Sequence, residues 1–288
     1  MARIVCVHGI GQQLGSEEQL LGEWLPELAG STGRAGAVLA AEDVRMAFYG
    51  DLFLPAGRVL GVGEPRYTAD DIEEGLEQEL LLAWWQAAAE LEAGVLGPEA
   101  RTLLRTPGAL QAGLRTLSRV PFFAGVAMRA MVSDVKQVRR YLTEPGMRER
   151  VWERLDAVVD ADTRVVVAHS LGSVVAYEAL CRRPDWPVRA LITIGSPLGI
   201  RNLIFDRLLP PPQDGTGHWP GPVAEWTNLA DAGDVVALVK DLSEPFGARV
   251  RNHRVHNGPH AHDARPYLGA EVLGAAVAAG LRGTAGLG

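Results

Sequence analysis

The chain has 288 residues, of which 47% are hydrophobic and 22% are charged, a balance typical of a globular protein with a sizeable core. Its formal net charge of −7 argues against a general nucleic-acid-binding protein. The sequence shows no signal peptide and no run of about 18 apolar residues, which predicts a chain without a membrane span. Two cysteines, Cys6 and Cys181, are too few to cross-link a fold of this size, so we expect a reducing, cytoplasmic setting.

Short apolar segments alternate with helical patterns at both ends of the chain. Ser16, with Gln19 three residues later, predicts a capping box at the start of the first helix. Strands are predicted at residues 3–7, 44–49, 164–168, 188–194, 225–229 and 250–255, and helices at residues 16–29, 171–181, 235–241 and 270–281. Strands separated by helices predict an α/β fold with a mostly parallel sheet flanked by helices on both faces.

The middle of the chain has a different, helical pattern. An acidic amphipathic helix is predicted over residues 72–92, and proline-interrupted helices follow up to residue 160. We interpret residues 51–160 as a helical cap inserted into a core formed by residues 1–50 and 161–288. Its large side chains could line an apolar acyl pocket or could simply pack in the core; they are Trp84, Trp85, Phe122, Phe123 and Met128.

Charge is unevenly distributed in the first half of the chain. Residues 1–96 carry 5 basic and 16 acidic side chains, whereas residues 97–154 carry 11 basic and 5 acidic ones. One interpretation is a pair of solvated helical faces that attract each other. The other is a basic surface that makes peripheral contact with an anionic membrane or binds an anionic substrate.

A serine stands directly between a predicted strand and a predicted helix, in the run Val167-Ala168-His169-Ser170-Leu171-Gly172-Ser173. This is the G-x-S-x-G nucleophile elbow with Ala168 in place of the first glycine. Small residues are needed on both sides because the turn is tight. The turn exposes the serine hydroxyl, and the helix N-terminus points free N–H groups at the reacting centre. Ser170 is therefore the candidate nucleophile; a serine that merely caps the helix is the alternative.

The run His8-Gly9-Ile10-Gly11 follows the first predicted strand. A tetrahedral intermediate of acyl transfer needs two backbone donors, and the N–H groups of Ile10 and Leu171 are the candidates for this oxyanion hole. We predict that His8 and His169 shape their loops through hydrogen bonds, and that neither is the general base.

Two carboxylates, Asp231 and Asp234, follow the strand predicted at residues 225–229. A serine nucleophile with a histidine base needs one acid that holds the histidine tautomer and stabilises the imidazolium. Asp234 is the preferred candidate because apolar residues follow it directly. Asp231 is then expected to form a turn or cap a helix.

Four of the seven histidines lie close together, at His253, His256, His260 and His262. A metal site at residues 260–263 is the alternative, but the sequence has no HExxH or cysteine pattern, so we predict no metal and no cofactor. The chain order Ser170, Asp234, His262 is that of nucleophile, acid and base in α/β-hydrolases. His262 is preferred to His260 because it stands closer to Tyr267 and the last helix.

On these motifs the core resembles the α/β-hydrolase superfamily, specifically the small lipases and esterases that carry H-G-I-G after the first strand and A-H-S-x-G at the elbow. The turn Gly195-Ser196-Pro197 is similar to one that these enzymes carry after the next strand. The resemblance implies an α/β-hydrolase fold and a serine hydrolase acting on a small-molecule ester or thioester with a lipid-like acyl group. An acyltransferase with the same triad and a catalytically idle binding scaffold are the alternatives.

Overall fold

The computed structural model of the chain describes residues 2–54, 67–91, 97, 113–114, 117 and 128–282. Phe122 and Phe123, the predicted substrate-binding residues, lie outside the described residues. Six described strands form one sheet in the order β2-β1-β3-β4-β5-β6, and every neighbouring pair is parallel. The strands are β1 Ile4–Val7, β2 Val44–Ala47, β3 Val165–His169, β4 Ala190–Ile194, β5 Glu225–Asp231 and β6 Arg251–Val255.

The central strands are short runs of β-branched and other apolar residues. The side chains of β1 and β4 are buried throughout, as expected for a parallel sheet that is covered on both faces. The edge strand β6 instead contains exposed arginines, which protect an open sheet edge from pairing with another chain. Strand order reverses at β1, so the carboxyl ends of β1 and β3 form the crevice where ligands bind in open α/β sheets.

Helices cover both faces of the sheet. Helices α1, α7 and α8 pack together on one face, whereas α5 lies on the other face with α4 and α3 behind it. The bounds are α1 Glu17–Arg34, α2 Leu76–Leu91, α3 Met128–Thr143, α4 Met147–Asp156, α5 Leu171–Arg182, α6 Ser243–Phe246, α7 Ala264–Gly269 and α8 Glu271–Arg282. The predicted α/β class, a parallel sheet flanked by helices, is confirmed.

The described helices of residues 51–160 share a continuous apolar cluster with one face of the sheet. Trp84 and Trp85 of α2 are only 3% and 8% exposed, and both belong to this cluster together with Val166 of β3. These two tryptophans are therefore core residues of the protein. The described ranges contain no helix that is both long and apolar enough to cross a membrane.

The acidic and basic segments of the first half of the chain meet across α2 and α3. The Glu77 carboxylate is fully buried and lies 3.1 Å from the Lys136 ammonium and 2.6 Å from Nε of Arg139. Arg139 also pairs with Glu73 at 2.9 Å. These contacts agree with the interpretation of two helical faces that attract each other.

The predicted helix at residues 235–241 is wrong, because the structure has an irregular segment there and a short helix, α6, after it. Side chains, in place of i to i+4 backbone hydrogen bonds, satisfy backbone N–H and C=O groups of this segment. Asn228 donates to the carbonyl of Lys240, and Asn252 accepts from the N–H of Leu242. Side-chain hydrogen bonds of this kind offer the backbone an alternative to a helical ladder and favour an irregular segment here. The capping box of α1 is half formed: Ser16 accepts from the N–H of Gln19, whose own side chain donates to Glu23.

Candidate active site

Ser170 lies at the sharp turn between β3 and α5. Its backbone has φ +52° and ψ −129°, a strained conformation for a residue with a side chain, as expected at a functional turn. The Ser170 N–H donates to the carbonyl of Ile194 at 3.0 Å and fixes the turn against β4. A Cβ atom on Gly172 would lie 2.2 Å from the carbonyl oxygen of His8. Only glycine therefore lets α5 approach β1 this closely.

Three predicted site residues, separated in sequence, meet at this turn. Nε2 of His262 lies 2.9 Å from Oγ of Ser170, and Nδ1 of His262 lies 2.8 Å from Oδ2 of Asp234. An ionised carboxylate only accepts hydrogen bonds, so Nδ1 donates and Nε2 is left to accept the serine proton. This arrangement, with a nucleophile, a base and a group that orients the base, can activate a hydroxyl for attack on a carbonyl.

The Asp234 carboxylate is completely buried and surrounded by donors. Its Oδ1 accepts from the N–H groups of Val236 and Ala237, at 2.9 and 3.1 Å, and its Oδ2 accepts from the Tyr267 hydroxyl at 2.9 Å. Burial alone would raise the pKa of Asp234, but the charge and hydrogen bond of His262 outweigh it, and the Lys240 ammonium adds to them, so the pKa is lowered. Asp234 is thus held as a carboxylate.

Asp231 shapes the turn, as predicted for the carboxylate that is not the acid. Its Oδ1 accepts from the N–H of Gly233 at 2.6 Å, and its Oδ2 accepts from the N–H of Asn257 at 2.5 Å. These bonds tie the loop after β5 to the loop after β6. His260 is exposed in the latter loop, and the imidazole that accepts a hydrogen bond from the Ser170 hydroxyl is that of His262.

The loop after β1 lies directly against the nucleophile. A Cβ atom on Gly9 would lie 2.7 Å from Cβ of Ser170, so a side chain at residue 9 would displace the serine. Ile10 follows Gly9 in this loop, and Leu171 follows Ser170 at the N-terminus of α5. Both backbone N–H groups therefore come from segments that adjoin Ser170; their role as an oxyanion hole stays a prediction.

Gly195 lies close against the side chains of Asp234 and His262. With φ +56°, a Cβ atom on it would lie 2.9 Å from Oδ2 of Asp234 and 3.0 Å from Nδ1 of His262. Any other residue there would disturb the hydrogen bond between the acid and the base. The sequence pointed to this glycine only through the similarity of the turn at residues 195–197 to lipase turns.

His8 and His169 make structural hydrogen bonds. Nε2 of His8 accepts from the N–H of Tyr49 at 3.1 Å, so Nδ1 donates to the carbonyl of Gly9 at 2.7 Å. Burial lowers the pKa of His8 to about 4, which keeps the ring neutral at pH 7. Nε2 of His169 lies 2.8 Å from the carbonyl oxygen of His262, and burial, together with the charge of His262, lowers the pKa of His169 to about 3. These hydrogen bonds join both rings to backbone groups, and neither bond involves the Ser170 hydroxyl.

Sequence reasoning missed a polar contact from the middle of the chain to the loop after β1. Gln137 of α3 accepts from the N–H of Gly11 at 3.2 Å and donates to Oε1 of Gln13 at 3.2 Å. Ser133 completes this buried group. No local motif marks these residues, because their partners are more than a hundred positions away in sequence.

The described residues contain no cluster of three or more histidine, cysteine, aspartate or glutamate side chains that could hold a metal ion. Comparisons of the chain with protein-family models, with curated proteins and with solved structures found no match. The geometry of the site therefore carries the functional argument.

Proposed function

We propose that the chain is a serine hydrolase with an α/β-hydrolase fold that cleaves carboxylic ester or thioester substrates. The observation that carries this proposal is the continuous hydrogen-bonded series Ser170–His262–Asp234, at 2.9 and 2.8 Å, on a strained strand-to-helix turn. A serine that only capped α5 would accept a backbone N–H with its side chain, whereas Ser170 makes no such capping bond.

In the proposed reaction, Oγ of Ser170 attacks the acyl carbonyl while its proton passes to Nε2 of His262. The N–H groups of Ile10 and Leu171 stabilise the oxyanion. The bond to the leaving alcohol or thiol then breaks, and His262 returns the proton to that group. Water, deprotonated by His262, attacks the acyl-enzyme, which releases the carboxylic acid and restores the serine.

The choice of esters and thioesters rests on the motifs shared with small lipases and esterases. In this proposal, residues 51–160 form the helical cap, whose described helices also pack against the sheet, and Phe122 and Phe123, outside the described residues, contact the acyl chain. No metal or cofactor takes part in the proposed steps. The substrate is a small acyl molecule.

A fluorophosphonate probe, which reacts with activated serines, tests the proposal. The parent protein should be labelled and should hydrolyse a p-nitrophenyl ester, while Ser170→Ala should lose both properties and keep its circular dichroism spectrum. Ser243→Ala is the matched control, since its hydroxyl bonds only to Asp241, away from the site. Labelling of Ser170→Ala at the parent's rate would show that Ser170 is not the nucleophile. A parent protein that is not labelled would favour the alternative of a catalytically idle binding scaffold.

A series of p-nitrophenyl esters of increasing chain length, run with and without an alcohol acceptor, separates hydrolysis from acyl transfer. Free acid as the main product in both conditions supports a hydrolase. Predominant formation of the new ester would identify an acyltransferase that uses the same three residues.

A further inference from the structure

Tyr267 of α7 is a fully buried tyrosine that touches the candidate acid. Its hydroxyl oxygen accepts from the N–H of Asp231 at 2.8 Å, and its proton is donated to Oδ2 of Asp234 at 2.9 Å. The directions of both bonds are fixed, because a backbone N–H can only donate and a carboxylate can only accept. The phenol therefore has one orientation, aimed at the carboxylate.

Tyr267 and His262 share one oxygen of Asp234. The other oxygen, Oδ1, is occupied by the N–H groups of Val236 and Ala237. With all these donors in place, the carboxylate cannot rotate without losing a hydrogen bond, and Oδ2 stays in line with Nδ1 of His262. The phenol dipole also offsets part of the negative charge on the oxygen that faces the imidazole.

We infer that Tyr267 is a positioning residue for the reaction proposed above: it fixes the Asp234 carboxylate and moderates the charge that Asp234 presents to His262. The inference rests on the proposed function, since it assigns the phenol to the same site. Tyr267 acts through Asp234.

Other titratable groups lie around this pair, on the elements packed against it. Lys240 donates to the backbone carbonyl of Asp234, and the His169 ring of β3 lies 4.6 Å from the His262 ring. Among the described residues, Asp231 at the end of β5 also acts on Tyr267, Asp263 before α7 acts on His169, and Arg254 of β6 acts on Lys240. A change from tyrosine to phenylalanine removes none of these side chains; it takes away the bond to Asp234 and the acceptor of the Asp231 N–H.

The test is the pH profile of kcat/KM for a p-nitrophenyl ester in Tyr267→Phe. Without the phenol, the full charge of Asp234 stabilises the imidazolium form of His262 more strongly. The midpoint of the acid limb should therefore move to higher pH by about half a unit to one unit, which is the size expected for one hydrogen bond of ordinary net strength. We expect kcat to fall several-fold, because the carboxylate is less well held, while KM stays within twofold.

Tyr177→Phe is the matched control. Tyr177 is equally buried, and its hydroxyl donates to the carbonyl of His218, away from the site. It should lose about the same stability and keep the parent profile. Tyr267→Met, which also lacks the hydroxyl, serves as a second variant if the phenylalanine variant folds poorly, and its profile should shift in the same direction.

A profile of Tyr267→Phe that superimposes on the parent's would overturn the inference, even if the variant unfolds at lower denaturant, because a purely structural role lowers stability alone. Failure of the proposed function looks different: the parent itself would neither hydrolyse esters nor react with the fluorophosphonate, and the inference would fall with it.

Discussion

The loops at the carboxyl ends of the strands and the helices of residues 51–160 are built by different means. At the strand ends, glycines let backbone segments approach so closely that an added Cβ atom would collide, as at Gly9, Gly172 and Gly195. In the helical region, large apolar side chains such as Trp84 fill a cluster shared with the sheet. The first kind of packing fixes the positions of individual atoms, whereas the second mainly removes apolar surface from water.

Buried charge occurs at the strand ends and also where α5 meets the helices of residues 51–160, with different consequences. Burial raises the pKa of Glu178 on α5 to about 7, against the opposing charge of Arg148. Its carboxylate accepts from the Tyr141 hydroxyl at 2.6 Å and from the N–H of Leu209 at 2.9 Å. All of these partners are structural. Asp234, by contrast, accepts a hydrogen bond from His262, whose other ring nitrogen in turn contacts the Ser170 hydroxyl. A residue with a perturbed pKa therefore marks a candidate site only when its hydrogen-bonded partners lead to a reactive group such as a serine hydroxyl.

The largest expected effect lies at the strand ends. His262→Ala should lower kcat for ester hydrolysis by about 10⁴-fold or more, as loss of a member of a catalytic triad does. His260→Ala should change kcat by less than about threefold, since this exposed residue is the matched histidine two positions away. Steady-state kinetics on both variants measures the difference. The reverse ranking would move the base to His260, and two small losses would place the base elsewhere.

A smaller effect is expected in the helical region, on stability. Trp84→Ala should lower the free energy of unfolding by about 3–5 kcal/mol, because it removes a large side chain from a packed cluster. Leu91→Ala, at a side chain that is 48% exposed at the end of the same helix, should change it by less than about 0.5 kcal/mol. Urea titration of both variants gives the values.

A different outcome for Trp84→Ala would change the comparison between the regions. If unfolding were unaffected and only the preferred acyl chain length moved, the helix α2 would act as part of a cap over the substrate, separate from the core. Loss of stability with an unchanged chain-length preference would show that the core and this helix are one unit.

The sequence was most informative where a motif and a strand end coincide. The elbow at Ser170 and the order of Asp234 and His262 follow from local patterns, and the structure brings these residues within hydrogen-bond distance. The segment at residues 235–241 was misjudged because distant asparagines, Asn228 and Asn252, satisfy its backbone. Tertiary contacts of this kind leave no periodic signal.

The residues that support the site were harder to find for the same reason. Tyr267 reaches Asp234 from α7, and Gln137 reaches the loop after β1 from the middle of the chain. Each of these residue types is unremarkable in its own helix or loop. Only the topology, which gathers the strand ends at one edge, reveals what they contact.

Gln137 provides the smallest but most discriminating test, because it connects the two regions. Its side-chain oxygen accepts from the N–H of Gly11, next to the candidate oxyanion donor Ile10. In Gln137→Leu this N–H loses its partner and the loop can shift, and a misplacement of about 1 Å can already cost about 10²-fold in oriented catalysis. We expect kcat to fall about tenfold, with a loss of about 1–2 kcal/mol in the free energy of unfolding.

Gln86→Leu is the control for that variant, since this exposed glutamine of α2 donates to the exposed Glu90. It should leave both quantities near the parent values. Gln137→Glu retains an acceptor for Gly11 but loses the donor to Gln13, so it should recover part of kcat. If Gln137→Leu lost stability while kcat stayed at the parent value, the helical region would contribute only packing. A fall in kcat with partial recovery in Gln137→Glu would show that α3 holds the loop on which the proposed oxyanion hole depends.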